Sequence, residues 1–335
     1  MRIGPAAPAS MSLSATRALV PLLLAFVHGL AASASAALAT IVDGEARLVR
    51  DTARYTLGEG VGLQPGDIVE TAPGAGLVRI EFGENGAILD LGPGTRVLLA
   101  PRLREARRAR PGTAYLLEGW AKLAVAAPSA GASAVGGAAG PTGFATERVD
   151  IAMPGGSSVV HLDDGRAGIF QESGQATLVE TSAPRDAPPR TLKTGETWLW
   201  RDGKGTVVPR PDPDFVGALP RAFRDTLPRR SASFLGKERP PKPLPAPTYA
   251  DLEPWLTAEP ALRLALLPRW QKLARDADFR RELVARRKVH PEWERILFPP
   301  PPPPPKPATE TAPAAQIAPT APTAPTAPAG GYGKP

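Results

Sequence analysis

The chain has 335 residues, of which 42 are Pro and 33 Gly, a proportion near that of low-complexity segments. It contains no Cys, and its three His stand far apart at His28, His161 and His290; this excludes disulfide frameworks, thiolate metal sites and thiol nucleophiles, and leaves no His-rich metal site, so no cofactor is expected. The net charge of +7 comes from 31 Arg and 9 Lys against 33 acids, and with one Asn in the chain this composition reads as coding bias before it reads as a sign of an anionic partner.

At the N-terminus, Arg2 and Arg17 precede an apolar run from Ala18 to Leu30, followed at once by the small residues Ala31 to Ala37. A basic start, a short apolar middle and an A-x-A site make a secretory leader. The expected leader is 1–36, with Ala34, Ala36 and Ala37 at the cleavage site. A spanning helix needs about 20 apolar residues, and Pro21, His28 and Gly29 interrupt this shorter run. The mature chain is therefore expected in the periplasm, without a transmembrane segment and away from nucleic acid.

From 37 to 208 the expectation is mainly β: short antiparallel strands in a β-sandwich or β-roll. In Leu77–Phe82, Val78, Ile80 and Phe82 share one face, while Leu77, Arg79 and Glu81 share the other, the pattern of a half-buried strand. Asn85-Gly86 suits a hairpin turn, and Ala87–Leu91 returns. Val97–Ala100 and Tyr115–Val125 follow, the latter split or bulged at Gly119. Residues 126–143, almost all Ala, Gly, Ser and Pro, read as a loop. Strands at Ser158–Leu162 and Ala167–Phe170 flank the turn Asp163-Asp164-Gly165-Arg166, and Gln175–Glu180 and Thr197–Trp200 complete the series.

Several of these pieces resemble the FecR-type periplasmic domain family. They are Leu63-Gln-Pro-Gly-Asp-Ile-Val-Glu-Thr71, the Asn85-Gly86 hairpin, Leu91-Gly-Pro-Gly-Thr-Arg-Val97, Leu117-Glu-Gly-Trp-Ala-Lys-Leu-Ala-Val125 and Leu192-Lys-Thr-Gly-Glu196, in the family's order. The second half departs from the family: Thr146 is followed by Glu147, and Gly155-Gly-Ser-Ser158 stands where a "G-T-x-F" motif is usual. The resemblance implies a β-rich extracytoplasmic module. In the best-known members that module relays a signal from an outer-membrane receptor to a sigma factor, and the cytoplasmic sigma-binding segment is not expected here.

Residues 209–248 read as a Pro/Arg-rich linker packed locally on the β domain, with one short helix through Phe215, Val216, Leu219, Phe223 and Leu227. Residues 249–298 read as a small helical unit, because Leu262, Leu266, Trp270 and Leu273 recur at spacings of three and four. Its Trp255, Trp270 and Trp293 are either the filling of a small hairpin or docking aromatics for a partner. The cluster of Arg280, Arg281, Arg286, Arg287 and Lys288 reads as a solvated face, because acids are interleaved. Residues 299–335 form a proline-rich tail, expected to be disordered and extended as a spacer.

Searches for chemistry return little. No phosphate loop is present, Gly155-Gly-Ser157 lacks the closing Gly of a nucleophile elbow and reads as a turn, and Asp163-Asp164 read as turn residues. The one concentrated charge feature is Arg102, Arg104, Arg107, Arg108 and Arg110, an expected exposed loop that suits an anion or partner. The leading expectation is a non-enzymatic exported adaptor or scaffold whose partner is an envelope protein or a cell-wall or outer-membrane polymer. The alternatives are a signal-transduction component acting through a membrane partner, and a cell-wall-active enzyme.

Overall fold

The computed structural model describes residues 37–83, 86–101, 103–105, 108–126, 142–184 and 186–300. The leader, Asn85 and the proline-rich tail from residue 301 lie outside these residues.

Strand β1 (Ala37–Asp43) turns through Gly44 into β2 (Ala46–Arg50), and β3 (Ala53–Thr56) follows. Next come β4 (Gly62–Leu63), β5 (Ile68–Thr71), β6 (Leu77–Glu81), β7 (Ile88–Leu91) and β8 (Arg96–Leu99). A small ribbon, β9 (Arg104–Glu105) with β10 (Arg108–Ala109), precedes the long β11 (Ala114–Val125). Beyond β12 (Gly143–Ala145) run the 14-residue strands β13 (Val149–Leu162) and β14 (Ala167–Glu180). The last of the series are β15 (Arg190–Lys193), β16 (Thr197–Arg201) and β17 (Lys204–Val208). The fold is mainly β, and apart from the parallel pair β11–β12 these strands are paired antiparallel.

Strand β11 is where the sheet divides. Its first half pairs with β8, which continues through β5 and β2 to β3, whereas residues 121–124 pair with β7, which continues through β6 to β1. The two branches enclose one apolar core: Ala39, Val78, Ile80 and Leu89 come from one branch, and Leu48, Val69, Val97 and Leu99 from the other. A bulge between Leu116 and Glu118 makes the division workable. Before it, Ala114 and Leu116 point into the core; after it, Ala121 and Leu123 do, so one extra residue has switched the inward parity. Gly119 follows at φ +92°, and a Cβ there would lie 2.5 Å from the Thr95 Cα, so no other residue fits without moving the backbone.

Two expectations about these strands are corrected. Gly155-Gly-Ser-Ser158 is not a turn but lies within β13, paired with β14 through Gly156↔Gly174; glycines on both strands tolerate the positive φ and close approach of the irregular register there. The polar face of β6 is not solvated: Arg79 and Glu81 are buried along with Leu77. Arg79 binds Asp90 through two bonds of 2.7 and 2.8 Å and donates to the Leu227 carbonyl. Glu81 accepts from Thr40 Oγ1 and from the backbone N–H groups of Arg230 and Ser231.

The covering element is the Pro/Arg-rich segment. Its helix α1 (Pro213–Ala218) is capped by Asp212, whose side chain accepts from the Asp214 N–H, and a 3₁₀ turn follows at Arg221–Arg224. Phe215, Leu219, Phe223 and Leu227 pack on Leu77, Trp120 and Val159. A second 3₁₀ turn at Ser231–Phe234 leads to β18 (Lys242–Pro243), which adds a strand to β3. The segment is thus a strap whose first part covers the outer face of the β7–β6–β1 branch and whose end joins β3 of the other.

The helical unit covers the other branch. It comprises α2 (Tyr249–Leu256), α3 (Pro260–Trp270), α4 (Ala277–Ala285) and α5 (Glu294–Leu297), with 3₁₀ turns at Gln271–Arg275 and Pro291–Trp293. Thr248 and Asp251 form a reciprocal capping box at α2, and Asp276 caps α4. Leu252, Trp255, Leu262, Trp270, Phe279 and Trp293 share a core with Val49, Ile68, Leu98 and Tyr115 of the sheet.

Candidate functional site

The arginine-rich run is not a uniform exposed loop. Arg102 and Arg107 lie outside the described residues, and Arg104 and Arg108 fall on the β9–β10 ribbon. Arg110 is withdrawn as an anion contact because its side chain is fully enclosed. It pairs with Asp150 at 3.0 Å and Glu259 at 2.7 Å, and donates to the Thr146 carbonyl. These partners hold the guanidinium charged, and Arg110 joins β11's approach, β13 and the start of α3. The docking aromatics are corrected likewise: Trp255, Trp270 and Trp293 are at most 1 % exposed. The indoles of Trp255 and Trp270 donate to Glu70 and to the Asp51 carbonyl across the sheet interface, so they anchor the helical unit instead of presenting it. Ala34 and Ala36 lie outside the described residues, and Ala37 opens β1.

The structure assembles a site that the sequence did not announce. Trp120 on β11 and His161 on β13 are directly opposed partners, and their rings stack with centroids 4.0 Å apart and 16° between planes. Phe215 of α1 packs against Trp120 at 5.2 Å. It has room because position 168 is Gly; a Cβ there would meet the Phe215 ring at 2.8 Å. The Trp120 and His161 rings wall a cleft of about 440 Å³ between the strap and the end of the sheet. Pro93, Gly94, Gly119, Ala218 and Pro220 form its small-residue sides, and Glu118, Asp163 and Asp164 stand at its rim.

The rim is held from below. Asp163 accepts from the Arg166 N–H and opens the β13–β14 turn, Gly165 takes φ +89°, and Arg148 donates to the carbonyls of both Asp163 and Arg166. The turn expected at Asp163–Arg166 is present, but it also delivers two carboxylates to the cleft. Burial pushes the His161 imidazole below its ordinary value while Asp163 pulls weakly the other way, so the ring is neutral at pH 7. Its nitrogens have no hydrogen-bond partner among the described residues. Glu118 is ion-paired with Arg96, which also approaches Glu70 at 3.5 Å, and Glu70 accepts the Trp255 indole N–H at 2.8 Å. A chain of polar contacts therefore links the cleft to the helical unit.

A flat aromatic wall, a neutral imidazole and a carboxylate rim suit a ligand with a cationic or hydrogen-bond-donating head and an apolar stem. Among the described residues no three His, Cys, Asp or Glu are grouped to hold a metal ion. The bulge expected at Gly119 lies between Leu116 and Glu118 instead. Trp120 and His161 were separately legible as strand residues. Their juxtaposition depends on a pairing register between strands 41 positions apart, which no local pattern carries.

No family model and no curated protein matches the chain. Two crystal structures, both described as a candidate anti-sigma factor from Parabacteroides distasonis, align at 15% identity with TM-scores of 0.31 and 0.30. In each case 42% of this chain is aligned, and it spans 57% of the length of the other.

Proposed function

We propose that this protein is an exported, non-enzymatic interaction protein of the bacterial envelope, built on a FecR-like module and acting as an adaptor or scaffold. The observation that carries the reading is the Trp120–His161 cleft, preformed, open, and bounded by four separate stretches of the chain. Its chemistry fits a lysine or arginine side chain of an envelope protein, or an amine-bearing wall polymer, laid against His161 and met by Asp163 and Asp164. The order of FecR-like motifs and the leader-like N-terminus support the compartment, and no helix among the described residues is long and apolar enough to cross a membrane.

The test is crosslinking in cells followed by mass spectrometry, comparing wild type with Asp164→Lys, an exposed position at the cleft rim. The expected result is loss of one recovered partner with an unchanged melting temperature. An identical set of partners removes the cleft from the proposal. N-terminal sequencing is expected to find Ala37 first, and Met1 retained on cytosolic protein overturns export. Release of soluble fragments from peptidoglycan by the pure protein overturns the non-enzymatic reading. A signalling role is the second reading, favoured by the Glu118–Arg96–Glu70–Trp255 chain, which gives occupancy of the cleft a route to the helical unit.

A further inference from the structure

The structure sorts the C-terminal cations into two groups. Arg281 pairs with Asp278, and Arg286 pairs with Glu282 while lying over the Tyr249 ring. Asp278 and Glu282 are two of the interleaved acids on which the reading of a solvated face rests. They leave Lys272, Arg275, Arg287, Lys288 and Arg295 without a carboxylate partner among the described residues.

The unpaired cations flank one small ridge, helix α5. On one side a cleft of about 360 Å³ is lined by Lys272, Arg275, Arg280 and Ile296, with Arg280 fixed by donation to the Leu297 carbonyl. On the other, Arg287 and Lys288 line a second cleft with Leu297, Phe298 and a single carboxylate, Glu294. Arg295 rises from the ridge itself. Two large apolar side chains stand free beside these cations: Phe298 is 50% exposed and Val289 48% exposed.

We infer that the α5 ridge is a peripheral docking surface for a bilayer rich in anionic phosphate headgroups. A single soluble phosphate would occupy one cleft and leave the cations across the ridge unused, whereas headgroups spread in a plane can meet both flanks. Phe298 and Val289 then supply the apolar contact that purely electrostatic adsorption lacks. The surface shares no lining residue with the Trp120–His161 cleft, so the inference stands whether or not that cleft binds a partner.

The experiment is vesicle co-sedimentation of the purified protein as recovered from the cell, with phosphatidylglycerol–phosphatidylcholine vesicles and with phosphatidylcholine alone. Binding is expected only to the anionic vesicles, and is expected to be lost when salt rises from about 0.1 to about 0.5 M. The combined variant K272Q/R275Q/R287Q/K288Q/R295Q, all exposed positions, is expected to bind at least about tenfold more weakly with an unchanged melting temperature. Phe298→Ser is expected to weaken binding about threefold. Equal binding by wild type and the charge variant, equal binding to both vesicles, or no binding overturns the inference. So does binding of soluble polyphosphate or an acidic peptide as tight as that of vesicles and insensitive to Phe298→Ser, because the surface is then a solution anion site.

Discussion

Arg110 closes an arginine-rich run, yet its guanidinium is enclosed between Asp150, Glu259 and the Thr146 carbonyl. Removing one member of such a group leaves charges buried without compensation, at a cost of about 3–5 kcal/mol. Arg110→Ala is therefore expected to lower unfolding free energy by that amount in a denaturant titration, with Arg110→Lys recovering only part because one ammonium cannot serve three acceptors in a fork. His161 makes a different prediction. Well above pH 6.5 its ring is neutral in folded and unfolded chains alike; as pH falls through about 6.5, the unfolded chain takes up a proton that the half-buried ring resists, so stability falls as pH drops. His290, buried with its Nε2 2.7 Å from the Tyr249 hydroxyl, acts in the same direction. An NMR titration is expected to place the His161 midpoint below 6.5, and His161→Gln is expected to remove part of the acid loss.

Among elements, the strap shows most clearly what a pattern of alternation conceals. Leu77–Glu81 alternates as a strand with one wet face should, and the branched apolar residues Val78 and Ile80 do face the core. The other face is dry because the strap arrives from 150 residues downstream and brings its own carbonyls and N–H groups to Arg79 and Glu81. The apolar spacing of Phe215, Leu219, Phe223 and Leu227 marked a packed face in the sequence, but nothing local named the surface it would meet. Glu81 holds the strap by hydrogen bonds to two backbone N–H groups, favoured over the protonated acid strongly enough to keep its carboxyl below the usual range despite burial. Glu81→Ala is expected to cost about 2–3 kcal/mol and to raise the rate of tryptic cleavage after Arg229 and Arg230. An unchanged cleavage rate would show that Phe223 and its neighbours hold the strap alone.

At the scale of the whole molecule, the sheet and helical unit share a core, so the sequence divisions at 208 and 248 are composition changes and not breaks in packing. Val49, Ile68, Leu98 and Tyr115 face outward from the sheet and are buried only because the helices lie on them. A chain ending at Thr248 would expose that contiguous apolar surface. It is expected to aggregate or fail to express in soluble form, where the full chain does not. For the same reason the intact protein is expected to unfold in one transition, with tryptophan fluorescence and far-ultraviolet circular dichroism coinciding. Two separated transitions would contradict the shared core.

The mainly β class, the β6–β7 hairpin, the turn at Asp163–Arg166 and the helical spacing of the C-terminal unit were legible in the residues alone. Each is written in periodicities or backbone preferences spanning a few residues, and these act before distant contacts form. Long-range packing settled which arginines are enclosed, that Trp255 and Trp270 bind the sheet, that Trp120 meets His161, and which C-terminal cations keep their charge unpaired. Those outcomes depend on register and burial between segments far apart in the chain, where a charged or aromatic side chain takes its role from whatever is folded against it.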